Sequence, residues 1–177
     1  MRHIQTLVIA FLAIILGITS ACNKEEDLGR GVDLPFRQTL EIPAGIGVFD
    51  VHHFYLYNIP TRYSDVLSQV GIGPDQVLRV VTTKGSIAGL FGDANLDFVD
   101  RVSLRVFKDD PTNYLEIAYR DPSPVDPGNT IGLIPSLSDS KQFFNEDRVN
   151  FDLVFWLRRT TQESTPLQLD LNLWIGY

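Results

Sequence analysis

The chain has one cysteine and no run of basic residues, and these two shortages already exclude several classes of function. A single thiol cannot close an intrachain disulfide, and it cannot supply a Cys-rich zinc site, which needs at least two thiolates. Stability must come from packing. Fifteen Lys and Arg against 22 Asp and Glu leave a net charge of −7. That is the wrong sign for a surface that neutralises phosphates, so nucleic acid is not an expected partner. Histidine is scarce as well: only His3, His52 and His53 occur. Gly45-x-Gly47 and Gly71-x-Gly73 lack the third glycine of a dinucleotide loop, and no Gly-Lys-Ser/Thr phosphate cradle or Gly-x-Ser-x-Gly elbow is present. Two acids could meet in the fold as a glycosidase pair, but no spacing predicts it. A non-catalytic protein without a cofactor is the expectation, with hydrolase ranked last.

What the sequence does contain begins at its start. Residues 4–21 carry no charge, and Arg2 and His3 precede them, which is the pattern of a secretory signal. About 18 apolar residues is also the lower limit for spanning a bilayer. Against a retained span, the run ends in the small residues Gly17, Thr19, Ser20 and Ala21, and the charges that follow are mainly acidic rather than a basic stop. Residues 1–21 are therefore read as a cleaved signal, with Cys22 first in the mature chain.

The box Thr19-Ser20-Ala21-Cys22 resembles that of bacterial lipoproteins, with Thr19 at the position usually held by Leu. The resemblance implies that Cys22 is diacylated on sulfur and acylated on its new amine. An ordinary signal peptidase would use the same Thr-Ser-Ala site and leave the thiol free. After Asn23, Lys24, Glu25 and Glu26 resemble the export signal of Bacteroidota surface lipoproteins. That implies an outer-membrane protein facing the cell exterior, the alternative being an acidic tether facing the periplasm. The likeness stops at Asp27. Physically, one acyl chain gives marginal membrane binding and two give a stable anchor, at roughly 0.8 kcal/mol per buried methylene. Removing the signal takes Arg2 and no acid, moving the net charge from −7 to −8. An anionic bilayer surface would repel such a chain, so the membrane is engaged through the acyl anchor alone.

Residues 22–35 lack apolar periodicity and contain Gly29 and Gly31, which predicts a flexible acidic tether. A single domain is expected over residues 36–177. Leu167, Leu169, Leu171, Leu173 and Ile175 alternate with Gln168, Asp170, Asn172 and Trp174, and Val149, Phe151, Leu153, Phe155 and Leu157 form another apolar face, opposed by Asn150, Asp152 and Arg158. These predict two strands joined as a terminal antiparallel hairpin. Val102, Leu104 and Val106 with Leu115, Ile117 and Tyr119 predict a second hairpin, and Phe36, Leu40 and Ile42 an opening strand. Residues 46–58 and 77–90 read as strands near the middle of the structure. Thr61 and Gly71 bracket one helix, and Ser136-x-x-Asp139 precedes a shorter one. The expected fold is mostly β: an antiparallel, immunoglobulin-like β-sandwich of seven or eight strands with one or two short helices.

Three groups remain as candidate sites. His52 and His53 on a strand point to opposite faces, so they cannot chelate one metal, although one could line a site with Asp50. Asp93, Asn95 and Asp97 open like a calcium loop, but Phe98 and Leu104 stand where Gly and Glu are required, so a turn is the simpler account and no metal is expected. Trp156 and Trp174 lie opposite the aliphatic rows, so a terminal hairpin would set both on one outer face able to stack on sugars or grip a protein. The alternative is that a helix or loop covers them. The resulting expectation is a membrane-anchored binding module for a protein or glycan. A structural or accessory component of an envelope complex is the runner-up.

Overall fold

The computed structural model describes residues 29–92, 94–144 and 146–177. Cys22, Lys24, Glu25 and Glu26, together with the predicted signal, lie outside the described residues, as does Asp93. Eight strands follow one another as β1 (Gly31–Ile42), β2 (His52–Pro60), β3 (Arg79–Gly89), β4 (Val99–Phe107), β5 (Tyr114–Arg120), β6 (Thr130–Pro135), β7 (Arg148–Leu157) and β8 (Thr165–Gly176). The first strand pairs the last, and the pairing nests inward: β1 with β8, β2 with β7, β3 with β6 and β4 with β5, all antiparallel. Because β8 also pairs β3 and β7 also pairs β4, the nest rolls into two layers, β1-β8-β3-β6 and β2-β7-β4-β5. A short contact between β5 and β6, Ala118 with Pro135 and Tyr119 with Ile134, joins them along one side.

This is the expected mostly-β sandwich with short helices, and its nested order is that of an eight-stranded jelly roll rather than of an immunoglobulin sandwich. The inward rows of β7 and β8 are buried throughout. Phe36 of β1 bridges the layers, with its ring 5.7 Å from Phe151 and 5.8 Å from Phe144.

The predicted β4–β5 hairpin and the central place of β3 are both present. The predicted terminal hairpin is not. β7 and β8 have the correct alternation but belong to opposite layers and face each other across the core. Alternation states which side of a strand is apolar, and both layers need apolar inner rows, so it cannot select the pairing partner. The opening strand also starts earlier than expected, at Gly31 paired with Gly176, so residues 31–35 of the predicted tether are sheet. Val32 and Leu34 carried that signal, obscured by Gly29, Gly31 and Pro35. Residues 52–60 form an edge strand instead of a central one.

Helix α1 (Tyr63–Val70) has left-handed Arg62 at its N-cap, one residue beyond the expected Thr61, whose Oγ1 accepts from the Tyr63 N–H at 3.1 Å. It ends at Gly71, which is left-handed at φ 73° as the C-cap requires. Helix α2 (Lys141–Phe144) is capped by Asp139, whose Oδ1 accepts from the Lys141 and Val80 N–H groups at 3.0 Å. Ser136 turns instead to the Glu116 carbonyl. Among the described residues no helix is long and apolar enough to cross a membrane.

Candidate functional site

Strand pairing decides where each outward side chain goes, and it separates the two tryptophans. Trp156 on β7 and Trp174 on β8 project from different layers, so they form no common face. Neither is wholly buried, and each is held locally: the Arg101 guanidinium lies 5.5 Å from the Trp156 ring, and Arg79 lies 5.5 Å from that of Trp174. The Trp174 indole lies over Gly31 and Gly176, where an added Cβ would come within 2.2 to 2.3 Å of its carbons. These glycines make room for the ring, and Trp174 acts as a lid over the end of its own layer.

The rings that are presented lie elsewhere. On edge strand β2, His53, Tyr55 and Tyr57 project outward at alternate positions, while Phe54 and Leu56 pack against the core. The His53 and Tyr55 rings stack at 5.8 Å, and the Tyr55 and Tyr57 rings stack at the same distance. Beneath them Phe107 of β4 meets Tyr55 and Tyr57 edge-on, which holds both rings in place. Tyr114 of β5 continues the surface with the Arg105 guanidinium 4.1 Å from its centroid. Tyr55, Tyr57 and Tyr114 are 40%, 55% and 44% exposed. They make a rigid, partly wet aromatic platform.

Alongside the rings runs a polar row that crosses all four strands of this layer. The Ser103 hydroxyl donates to Glu116 Oε2 at 2.5 Å and accepts from Arg105 Nε at 3.1 Å. Arg105 Nη1 lies 4.0 Å from Asp152 Oδ2, which accepts from His53 Nδ1–H at 2.9 Å. This bond fixes the ring so that His53 Nε2 is the free nitrogen. Asp152 is 1% exposed, and its second oxygen has no partner among the described residues. Burial, followed by the neighbouring Asp152 and Tyr57, raises the Tyr55 phenol above its ordinary value of 10.0, so near neutral pH it remains a hydrogen-bond donor.

Two β-bulges shape the platform. On β5 the extra residue Ile117 stays in the core and brings Glu116 opposite Arg105. On β2 Asn58 turns left-handed at φ 56° and donates its N–H to Asn150 Oδ1, and Tyr57 remains beside Tyr55. Bulges commonly re-aim side chains in this way.

Of the other expected residues, His52 donates Nε2–H to the Gly47 carbonyl, and His53 meets Asp152 rather than Asp50. Asn95 Oδ1 accepts from the Asp97 N–H, and Asp97 pairs with Arg159, so both are engaged in the turn they build. Among the described residues no group of three or more His, Asp or Glu is placed to hold a metal ion. The aromatic platform was missed in the sequence. Its signal was the alternation of His53, Tyr55 and Tyr57 against Phe54 and Leu56, which is amphipathic once Tyr is counted as a surface ring.

No family model matches the chain, and no curated protein matches it in sequence. Among solved structures it is similar to the decameric BFDV capsid protein, at 13% identity and a TM-score of 0.35, over 82% of this chain and 98% of that one. A likeness of that size assigns neither fold nor function.

Proposed function

We propose that the protein is a non-catalytic glycan-binding module, anchored by acylated Cys22 in a bacterial outer membrane and facing the cell exterior. One observation carries the binding reading: Tyr55 and Tyr57 form an exposed, pre-stacked ladder beside hydrogen-bonding groups. Flat aromatic rings take the C–H face of a sugar, and neighbouring donors and acceptors take its hydroxyls. His53 Nε2 and the two phenols supply those groups. Asp152, Ser103 and Glu116 bond to one another's neighbours within the row, which supports a preorganised binding surface over a catalytic pair. With Asp152 buried from solvent and Glu116 bonded to Ser103, the favoured ligand is a neutral oligosaccharide.

The test is a titration of the protein with neutral hexose oligosaccharides of differing linkage. Tyr55→Ala is expected to weaken the bound member at least tenfold without lowering the melting temperature by more than a few degrees. Binding that survives Tyr55→Ala and Tyr57→Ala unchanged would overturn the reading. The anchor is tested separately: labelled palmitate should enter the wild type and not Cys22→Ala, and an unlabelled wild type would sink it. Replacing Lys24, Glu25 and Glu26 with Ala should remove the protein from protease-accessible cell surface.

A second reading, the accessory component of an envelope complex, is favoured by the loops at one end of the sandwich. Phe49, Phe91 and Val125 are 98%, 63% and 82% exposed, on connections joined by backbone bonds to the same end. Strand β1 begins at the other end, opposite Gly176. A tether leaving from Gly31 would direct these apolar tips away from the membrane.

A further inference from the structure

The outer face of the other layer is built differently. Pro35 and Arg37 of β1, Lys84 and Ser86 of β3, and Asp170 and Asn172 of β8 line a concavity of about 550 Å³, within the range of small-molecule sites. A third bulge creates it. Between Thr82, opposite Leu173, and Lys84, opposite Asn172, β3 holds one extra residue, Thr83. The insertion turns Lys84 outward and Gly85 inward, where the Leu133 and Leu171 side chains lie 3.3 to 3.5 Å from the position of its missing Cβ. Without it, Lys84 would point into the core.

The groups so gathered are mainly unspent donors. The Lys84 ammonium has no hydrogen-bond or ion-pair partner among the described residues. Arg37 gives Nε to Asp170 Oδ1 at 2.6 Å and keeps its two terminal nitrogens. Gln168 donates to Asp170 Oδ2 at 2.7 Å, so both carboxylate oxygens are engaged. The Asn172 amide nitrogen donates to Asp33 Oδ1 and Thr83 Oγ1, and its Oδ1, on a side chain that lines the concavity, has no partner among the described residues. Burial by itself would raise the Asp170 carboxyl, but the hydrogen bonds from Arg37 and Gln168 and the charges of Arg37 and Lys84 outweigh it and hold it below its ordinary range.

Arg37 is paired with Asp170 and Asp33 is turned to the Asn172 amide, so the Lys84 ammonium is the one positive charge in the concavity without a partner among the described residues. That charge balances a single negative group. A phosphate dianion would leave its second charge facing Asp170. We propose that this concavity is a second binding site, independent of the tyrosine platform, for a monoanionic carboxylate on a hydroxylated scaffold, chemically a uronic acid unit. The carboxylate meets the Arg37 fork and the Lys84 ammonium, and the ring hydroxyls meet Ser86 and Asn172 Oδ1.

The experiment is calorimetric titration of the full-length protein in detergent with glucuronate, glucose and glucose 6-phosphate. Glucuronate is expected to bind saturably, at least tenfold tighter than glucose and tighter than the phosphate ester. Lys84→Gln should weaken glucuronate at least tenfold, Lys84→Arg should restore most of the affinity, and Tyr55→Ala should leave it unchanged. Lys84 is exposed and unpartnered, so Lys84→Gln should melt with the wild type. The proposal is overturned by any of three results: no saturable binding at millimolar glucuronate, equal binding of glucose or tighter binding of the phosphate ester, or an unaltered affinity in Lys84→Gln.

Discussion

The two outer faces of the sandwich come from the same alternation of apolar and polar residues, and they differ in what the outward positions became. On β2-β7-β4-β5, outward Asp152, Val154, Ser103 and Phe107 are buried beneath their own neighbours, and the exposed surface is a layer of tyrosine rings. On β1-β8-β3-β6, the outward row around Asp170 stays half-open and cationic donors remain unspent. An outward position is therefore not a wet position. Long side chains on an adjacent strand can bury it, and the group left underneath must then find partners within the sheet.

The largest expected contrast is between the two acids. Asp152→Ala removes a buried partner from both His53 and Arg105, and should cost about 3 kcal/mol in urea unfolding. Asp170→Ala, on the open face, should cost less than about 1 kcal/mol. Equal costs would erase the distinction between the faces. Next in size is the glycine under Trp174: Gly31→Val should lose about 1–3 kcal/mol by overpacking and shift the tryptophan emission. Gly132→Ala, with open space around its Cβ, should stay within about 0.5 kcal/mol and serves as the control.

Ligand specificity sharpens the comparison further. Tyr57→Ala should weaken a neutral oligosaccharide about tenfold, or 1.4 kcal/mol, whereas Trp156→Ala should change it less than twofold, because its ring lies under Arg101. Comparable losses from both would mean that the platform extends across the layer. The smallest effect concerns pH. Asp170 has a lowered pKa in the fold, so its contribution is fully present above the ordinary value of 3.8 and is lost as pH falls from there through the folded value. Acid unfolding of Asp170→Asn should lack that increment. Solvent screening at this half-open site keeps it below about 1 kcal/mol.

Much of the architecture was legible residue by residue. The rows of β7 and β8, the β4–β5 hairpin, and the helix between Thr61 and Gly71 all follow from local pattern and capping chemistry. The candidate site was legible only in part. His53, Tyr55 and Tyr57 announce a shared face by their spacing, but nothing near them in sequence names Asp152, 99 residues away, as the partner of His53. The bulges were invisible because one extra residue in a strand changes no composition. It changes only which side the following side chains take.

By itself, then, the sequence determined that this chain forms an antiparallel β-sandwich with a full apolar interior, because period-two alternation is a property of each strand alone. It also supplied every argument for Cys22 as an anchor. The tertiary structure decided which strands pair, and therefore that Trp156 and Trp174 stand on opposite layers while four strands assemble His53, Asp152, Arg105, Ser103 and Glu116 into one row. Pairing is set by a competition among apolar strands over the whole chain, and a local pattern common to all of them cannot choose the winner.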